Sequence, residues 1–142
     1  MPGIDETRDF IPLNIAVMTV SDTRKPETDK SGDVLAERIE AAGHSLADRT
    51  IVSDEVTRIR AQLLRWIADK DIDVVISTGG TGLTGRDVTP EAFFSVYDKE
   101  IEGFAALFHR ISFDKIGTST IQSRATAGVA HGTYLFALPG SP

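Results

Sequence analysis

The stretch that decides the fold is Asp73-Val-Val-Ile-Ser-Thr-Gly-Gly-Thr-Gly-Leu-Thr-Gly-Arg-Asp-Val-Thr-Pro-Glu91. It begins with Val74-Val-Ile76, an apolar and β-branched run that favours a buried strand. Glycines follow at four nearby positions, and Thr89-Pro-Glu91 then combines a hydroxyl N-cap, a proline and an acid, which is typical of a helix start. The stretch therefore predicts a strand, a glycine loop and a helix.

The glycine loop predicts an anion-binding site. Glycines allow backbone N–H groups to approach an anion closely, because no Cβ atoms stand in the way. An acid, Asp87, lies at the far end of the loop. Since a simple turn needs neither so many glycines nor this acid, we interpret the loop as the candidate active site.

The rest of the chain alternates strands with helices. Strands are predicted over 14–20, 45–52, 73–78, 124–129 and 133–138, the last two joined by a tight turn at His131-Gly132, and the 45–52 strand is expected near a sheet edge. Helices are predicted over 31–42, after a cap at Ser53-Asp54-Glu55, and continuously from Thr89 into the segment containing Ile101 and Ile111. This order predicts an α/β three-layer (α/β/α) sandwich with a mostly parallel sheet. Ligands bind such sheets beyond the carboxyl ends of the strands, where loops 21–30, 53–55, 79–88 and 139–142 would lie.

The composition of the chain argues against several classes of function. The 142 residues carry a net charge of −6 and no block of Lys or Arg, which argues against general nucleic-acid binding. No apolar run approaches the length of a membrane span. The absence of cysteine excludes disulfides and thiolate metal sites and fits a cytoplasmic location. We expect a flexible arm over residues 1–12 and one domain over residues 13–142.

Two known phosphate-binding motifs nearly match the loop. Gly80-Thr-Gly-Leu-Thr-Gly85 has the G-x-G-x-x-G spacing of dinucleotide-binding proteins, but the third glycine does not open the helix, and no second strand ends in an acid at the required distance. Gly80 and Gly85 also have P-loop spacing, but Arg86-Asp87 replaces the Lys-Ser/Thr pair. Nicotinamide enzymes and Walker-type NTPases are therefore disfavoured. The histidines His44, His109 and His131 are far apart in sequence and are expected to be structural or exposed.

The chain resembles the molybdopterin-binding family, which includes bacterial molybdenum cofactor biosynthesis proteins of the MoaB and Mog type. The principal match is Thr78-Gly-Gly-Thr-Gly82 followed by Arg86-Asp-Val-Thr-Pro-Glu-Ala92. Supporting pieces are Val20-Ser-Asp-Thr-Arg24, Asp29-Lys-Ser-Gly32, Val52-Ser-Asp-Glu55, Glu102-Gly-Phe104, Ser123-Arg124 and Leu138-Pro-Gly140. Phe10–Asn14, Gly117–Thr120 and Gln122–Arg124 are closer to the MoaB branch, whereas Arg86–Pro90 has the form associated with active Mog-type proteins.

The resemblance implies an activity and a site. It implies transfer of AMP from ATP to the terminal phosphate of molybdopterin, with Mg²⁺ and release of pyrophosphate. Asp54 and Asp87 match the two functional acids of the family and would share the Mg²⁺, while Arg86, Arg24 or Lys30 would neutralise further charge. The implied substrate-binding residues are Ser21, Asp22, Thr78, Gly79, Gly80, Thr81, Gly82, Arg86, Ser123, Pro139 and Gly140.

Several alternatives stay open at this point. A non-catalytic protein that binds a pterin or a precursor, or acts as a scaffold, fits the MoaB-like segments equally well. The resemblance also implies a homotrimer or homohexamer and contacts with other cofactor-biosynthesis proteins. Family members usually carry a further helix after Leu-Pro-Gly, whereas this sequence ends at Pro142.

Overall fold

The computed structural model describes residues 7–140 and contains strands and helices in the predicted alternation. The strands are β1 (Asn14–Val20), β2 (Ser45–Val52), β3 (Val74–Thr78), β4 (Lys99–Glu100), β5 (Thr126–Ala130) and β6 (Thr133–Leu138). The helices are α1 (Lys30–Ala41), α2 (Val56–Ala68), α3 (Thr89–Phe94) and α4 (Glu102–Ile116), with 3₁₀ turns at Pro26–Thr28 and Gly117–Gln122.

The sheet is mostly parallel and has the order β2-β1-β3-β6-β5-β4. β1 pairs in parallel with β2 and β3, and β3 pairs in parallel with β6. β5 runs antiparallel to β6, and β4 antiparallel to β5. The predicted α/β fold and the edge position of β2 are confirmed. The carboxyl ends of β1, β2, β3 and β6 therefore meet at one edge of the sheet, and the beginning of β5 reaches the same edge.

Both faces of the sheet are covered, because side chains alternate between the two faces along each strand. Met18 and Val75 point to the face covered by α2 and α3, where Phe93 is fully buried. Val17 points to the opposite face and packs near Ile39 of α1. On that same face the ring of Phe104 in α4 contacts the ring of Phe136 in β6, with centroids 5.3 Å apart. The result is the predicted three-layer arrangement.

The predicted continuous helical pattern after Thr89 is wrong between α3 and α4. Helix α3 ends at Phe94, and Lys99–Glu100 form the short edge strand β4. The backbone N–H groups of Asp98 and Ile101 donate to the carbonyls of Val129 and Ala127 in β5. Local periodicity could not reveal these partners, because they lie about 30 residues further along the chain.

The predicted N-terminal arm falls partly outside the described residues, which exclude residues 1–6 and 141–142. Residues 7–12 form no helix or strand. The ring of Phe10 nevertheless lies 5.1 Å from the ring of His44, centroid to centroid, and the backbone N–H of Leu13 donates to His44 Nδ1 over 2.9 Å. His44 thus has a structural role. Within residues 7–140, the helices are too short or too polar to cross a membrane.

Candidate active site

The glycine loop begins where β3 and β6 end side by side. The Gly79 N–H donates to the carbonyl of Leu138, and Thr78 Oγ1 donates to the carbonyl of Pro139 over 2.9 Å. Gly79 has φ of +99°, and a Cβ added there would lie 2.4 Å from the backbone oxygen of Val20. Because an L side chain would be both strained and blocked, the chain requires glycine at this position.

Thr89 joins the start of α3 to this loop, although the sequence predicted that it would cap the helix. It is the first residue of α3 and is fully buried. Its hydroxyl donates to the carbonyl of Gly79, and its N–H donates to the carbonyl of Gly80. The predicted start of α2 after Ser53-Asp54-Glu55 is confirmed, since Glu55 is the N-cap and α2 begins at Val56, but no side chain makes a capping bond there.

A cavity of about 570 Å³ opens over the glycine loop. It brings together most of the predicted substrate-binding residues and Asp87. The Oγ of Ser123 is buried, and within residues 7–140 it has no hydrogen-bond partner. The lining residues predicted from the sequence are Gly79, Gly80, Thr81, Gly82, Asp87, Ser123, Pro139 and Gly140.

Asp87 is held in its ionised form at this cavity. One carboxylate oxygen, Oδ2, accepts hydrogen bonds from the Thr84 hydroxyl over 2.7 Å and from the Thr84 N–H over 2.9 Å. The Thr84 hydroxyl is the main cause that lowers the pKa of Asp87. Partial burial opposes this shift, whereas the N–H groups of Thr84 and Gly82 and the charge of Arg124 support it. A fixed negative charge therefore lies beside the glycine amides.

Asp54 lies in a second cluster of charges rather than in the cavity lining. Burial is the main cause that raises the pKa of Asp54, and the negative charges of Asp22 and Asp87 raise it further. The Asp54 N–H donates to Asp22 Oδ1 over 3.0 Å, and Arg86 donates to Asp22 Oδ2 through Nη2 over 2.6 Å and Nε over 3.0 Å. These bonds, first that from Asp54, lower the pKa of Asp22. Asp22 is thus the nearer charged partner of Asp54, and the charge of Asp87 has a smaller effect on it.

The other predicted residues surround these two clusters. Ser21 is engaged in its own turn, where its Oγ accepts from the N–H groups of Thr23 and Arg24. Thr78 lines a neighbouring cavity rather than the one over the loop. The Arg24 Nη1 donates to Ser31 Oγ over 2.9 Å, and Lys30 is an exposed residue at the start of α1. None of these side chains lines the glycine-loop cavity.

One wall of the cavity was missed by sequence reasoning, because it comes from α4 and the following 3₁₀ turn. Ser112 and Lys115 are polar residues three positions apart and therefore share one face of α4. That polar pair on an apolar-rich helix was an available signal. Thr120, from the 3₁₀ turn, bonds to His109 Nδ1 over 2.9 Å. The missed lining residues are Phe108, Ser112, Lys115, Ile116, Ser119, Thr120 and Gln122.

Asp54 and Asp87 could hold a hard cation such as Mg²⁺ only together with oxygen atoms of a bound ligand. In the part of the chain that the structure describes, no three acids or histidines converge into a metal-binding group. Mg²⁺ is commonly held by one or two carboxylates together with substrate phosphates. Asp87 lines the glycine-loop cavity and could supply one such carboxylate, whereas Asp54 lies outside that lining.

Comparison with known proteins agrees with this architecture. Residues 16–142 match the family described as "Probable molybdopterin binding domain". The molybdenum cofactor biosynthesis protein B of Escherichia coli (strain K12) is 51% identical over 133 residues, which are 94% of this chain and 78% of that protein.

Solved structures give the same result. A crystal structure of a molybdenum cofactor biosynthesis protein B superposes with a TM-score of 0.91 at 42% identity, covering 94% of this chain and 84% of that chain. The tungsten cofactor synthesizing protein MoaB from Pyrococcus furiosus superposes with a TM-score of 0.80 at 35% identity, covering 92% of this chain and 83% of that chain. The similarity to each of these two structures therefore extends over more than nine-tenths of the chain.

Proposed function

Because the chain belongs to the family of probable molybdopterin-binding domains, we propose that it adenylylates molybdopterin during molybdenum cofactor biosynthesis. An oxygen of the terminal phosphate of molybdopterin would attack the α-phosphorus of ATP. The bond between the α-phosphorus and the bridging oxygen would break, and pyrophosphate would leave. The observation that carries this proposal is the cavity in which the glycine loop, Ser123 and ionised Asp87 meet.

The residues have distinct roles in this proposal. Gly80 and Thr81 would present backbone N–H groups to a phosphate, because the Gly79 N–H is bonded to the Leu138 carbonyl and the Gly82 N–H faces Asp87. Ser123 lines the same cavity. Asp54 and Asp87 would hold Mg²⁺, which neutralises phosphate charge when it is bound. The nucleophile is already a phosphate oxygen, so the protein needs no covalent nucleophile. Catalysis then consists of positioning and charge stabilisation.

The test is pyrophosphate release from the purified full chain supplied with molybdopterin, ATP and Mg²⁺. We expect turnover that depends on both substrates and is lost in Asp87→Asn. The matched control is Asp71→Asn, because Asp71 is an exposed acid before β3, at the opposite end of that strand from the glycine loop. Normal turnover in Asp87→Asn would refute the role of Asp87, and no turnover in the folded wild type would refute the activity.

A non-catalytic protein that binds a pterin or a precursor is the second candidate. It is favoured by the similarity to proteins named molybdenum cofactor biosynthesis protein B and by the position of Asp54 outside the cavity lining. This candidate predicts saturable binding of molybdopterin in a titration, with no product that depends on ATP. The same pyrophosphate assay separates it from the adenylyltransferase.

We also propose that the chain forms a homotrimer or homohexamer and acts in the cytoplasm with other cofactor-biosynthesis proteins. Helix α4 supports self-association, because none of its residues is buried and several of its large apolar side chains are more than half exposed. Light scattering would give the mass of the particle. The exposed apolar residues of α4 are Leu107, Ile111, Phe113 and Ile116.

A further inference from the structure

Arg124, just before β5, connects the two ends of the loop segment between Gly82 and Asp87. Its Nε donates to the carbonyl oxygen of Gly82 over 2.8 Å. Its Nη2 donates to the carbonyl oxygen of Asp87 over 2.6 Å. A single rigid guanidinium therefore spans the segment that carries the cavity carboxylate.

The backbone of Arg124 holds the same loop from the same side. The Arg124 N–H donates to the carbonyl oxygen of Thr81 over 2.8 Å. The other side of that peptide unit is the N–H of Gly82, which faces the carboxylate of Asp87 and helps to lower its pKa. Rotation of the peptide between Thr81 and Gly82 would break the bond from Arg124 and turn the Gly82 N–H away from the Asp87 carboxylate. The backbone of Arg124 therefore helps to keep this N–H directed at Asp87.

Glu91 of α3 fixes the guanidinium in turn. Its two carboxylate oxygens accept from Arg124 Nη1 and Nη2, the latter over 3.1 Å. This pairing is bidentate, which restricts the guanidinium plane as well as its position. The Arg124 side chain is one-third exposed, so the whole unit is partly shielded from water.

We propose that Arg124 is a positioning residue that holds the loop from Gly82 to Asp87 in its phosphate-binding conformation and thereby aims the Asp87 carboxylate into the cavity. The consequence for turnover rests on the proposed adenylyl transfer, whereas the consequence for the loop does not. Arg124 need not touch the substrate, and it does not line the cavity. A lysine would keep the charge but could not reproduce the planar fork between two carbonyls and a carboxylate.

The first experiment measures hydrogen exchange of the loop amides in the full chain without ligand. We expect Arg124→Lys to accelerate exchange over residues 79–88 at least about tenfold, since it removes charge-assisted bonds from the loop. The matched control is Arg49→Lys, because Arg49 is 29% exposed and also bridges two acids, Asp29 and Asp33. We expect the control to lose comparable thermal stability without changing exchange in the loop. Unchanged loop exchange in folded Arg124→Lys would overturn the proposal.

The second experiment compares kcat with KM in the pyrophosphate-release assay. We expect Arg124→Lys to reduce kcat at saturating substrate by about tenfold or more, because misplacement of a catalytic group slows the chemical step. Arg49→Lys should keep the wild-type kcat. Faster loop exchange with an unchanged kcat would overturn the positioning role. If the wild type has no turnover, the proposed function fails, and the exchange experiment still decides whether Arg124 holds the loop.

Discussion

Gly82→Ala should move the Asp87 carboxylate without straining the backbone. Gly82 does not have a left-handed φ, so alanine can adopt its conformation. A Cβ added at Gly82 would lie 2.7 Å from Asp87 Oδ2 and 3.1 Å from Asp87 Cγ. The carboxylate must therefore withdraw by about 0.7 Å to reach an ordinary van der Waals separation.

The size of the effect follows from the bonds that Asp87 makes. The shift weakens the two bonds from Thr84, at 2.7 and 2.9 Å, and each is worth about 0.5–1.5 kcal/mol. Replacement of glycine by alanine returns about 0.4–1 kcal/mol by restricting the unfolded chain. We expect the free energy of unfolding to fall by only about 1 kcal/mol. Turnover should fall far more, by about 10- to 100-fold, because it depends on where the carboxylate lies.

Gly85→Ala is the control within the same loop. An added Cβ at Gly85 would have no neighbour within 4 Å, and Gly85 does not line the cavity. We expect about 0.4–1 kcal/mol of added stability and an unchanged kcat. Urea unfolding and pyrophosphate release, measured on both variants, complete the comparison. A folded Gly82→Ala protein with the wild-type kcat would refute the reasoning, because Asp87 would then tolerate displacement.

Three further substitutions test the charge and packing arguments. Asp54→Asn should stabilise the fold at neutral pH by about 0.5 kcal/mol after allowance for solvent screening. Burial and the charge of Asp22 raise the pKa of Asp54 in the folded protein. The stabilisation by Asp54→Asn should therefore be present above that pKa and disappear as the pH falls towards 3.8, which urea unfolding at several pH values would measure. Asp29→Asn should cost about 2 kcal/mol at neutral pH. Burial tends to raise the pKa of Asp29, but the hydrogen bonds to its carboxylate outweigh burial and lower that pKa. The ionised Asp29 should therefore stabilise the fold above pH 3.8, and an acid titration should show this stabilisation being lost as the pH falls further. Gly128→Ala should lower the melting temperature and cost about 1–3 kcal/mol, because overpacking displaces a ring. The added Cβ would lie 2.3 Å from Tyr97 Cδ1, and a wild-type melting temperature would contradict this packing.

The parallel part of the sheet was predictable because its signals are local. β1 and β3 are short apolar runs, and each is followed by a polar or glycine-rich loop. Parallel strands place such loops at one edge, so the proximity of the Gly79 loop to Pro139 followed from topology alone. The turn at His131-Gly132 was also predictable, and the structure gives these residues φ of +47° and +84°.

The caps and the last edge strand were not predictable, because distant partners decide them. Thr89 has the composition of a cap, but its hydroxyl bonds to Gly79 across the loop. Asp54 has the composition of a helix start, but its N–H bonds to Asp22 on another loop. β4 exists because β5 supplies its partners. For Thr89 and for β4, a tertiary hydrogen bond replaced the local one that the sequence pattern indicated.

Some residues of the site line the cavity, whereas others only hold the lining residues in place. This difference explains why the sequence identified only part of the site. The resemblance indicated residues that surround a phosphate, and most of these do meet at the cavity. In the sequence, Arg124 belongs only to a short Ser-Arg match, yet it holds carbonyl groups on both ends of the loop that bears Asp87. A carbonyl can accept from any donor, so no side-chain pattern marks its partner in advance. The position of Asp87 therefore depends on a residue 37 positions away in sequence. Gly82→Ala tests this by displacing the carboxylate itself, and Arg124→Lys tests it by weakening the residue that holds the loop.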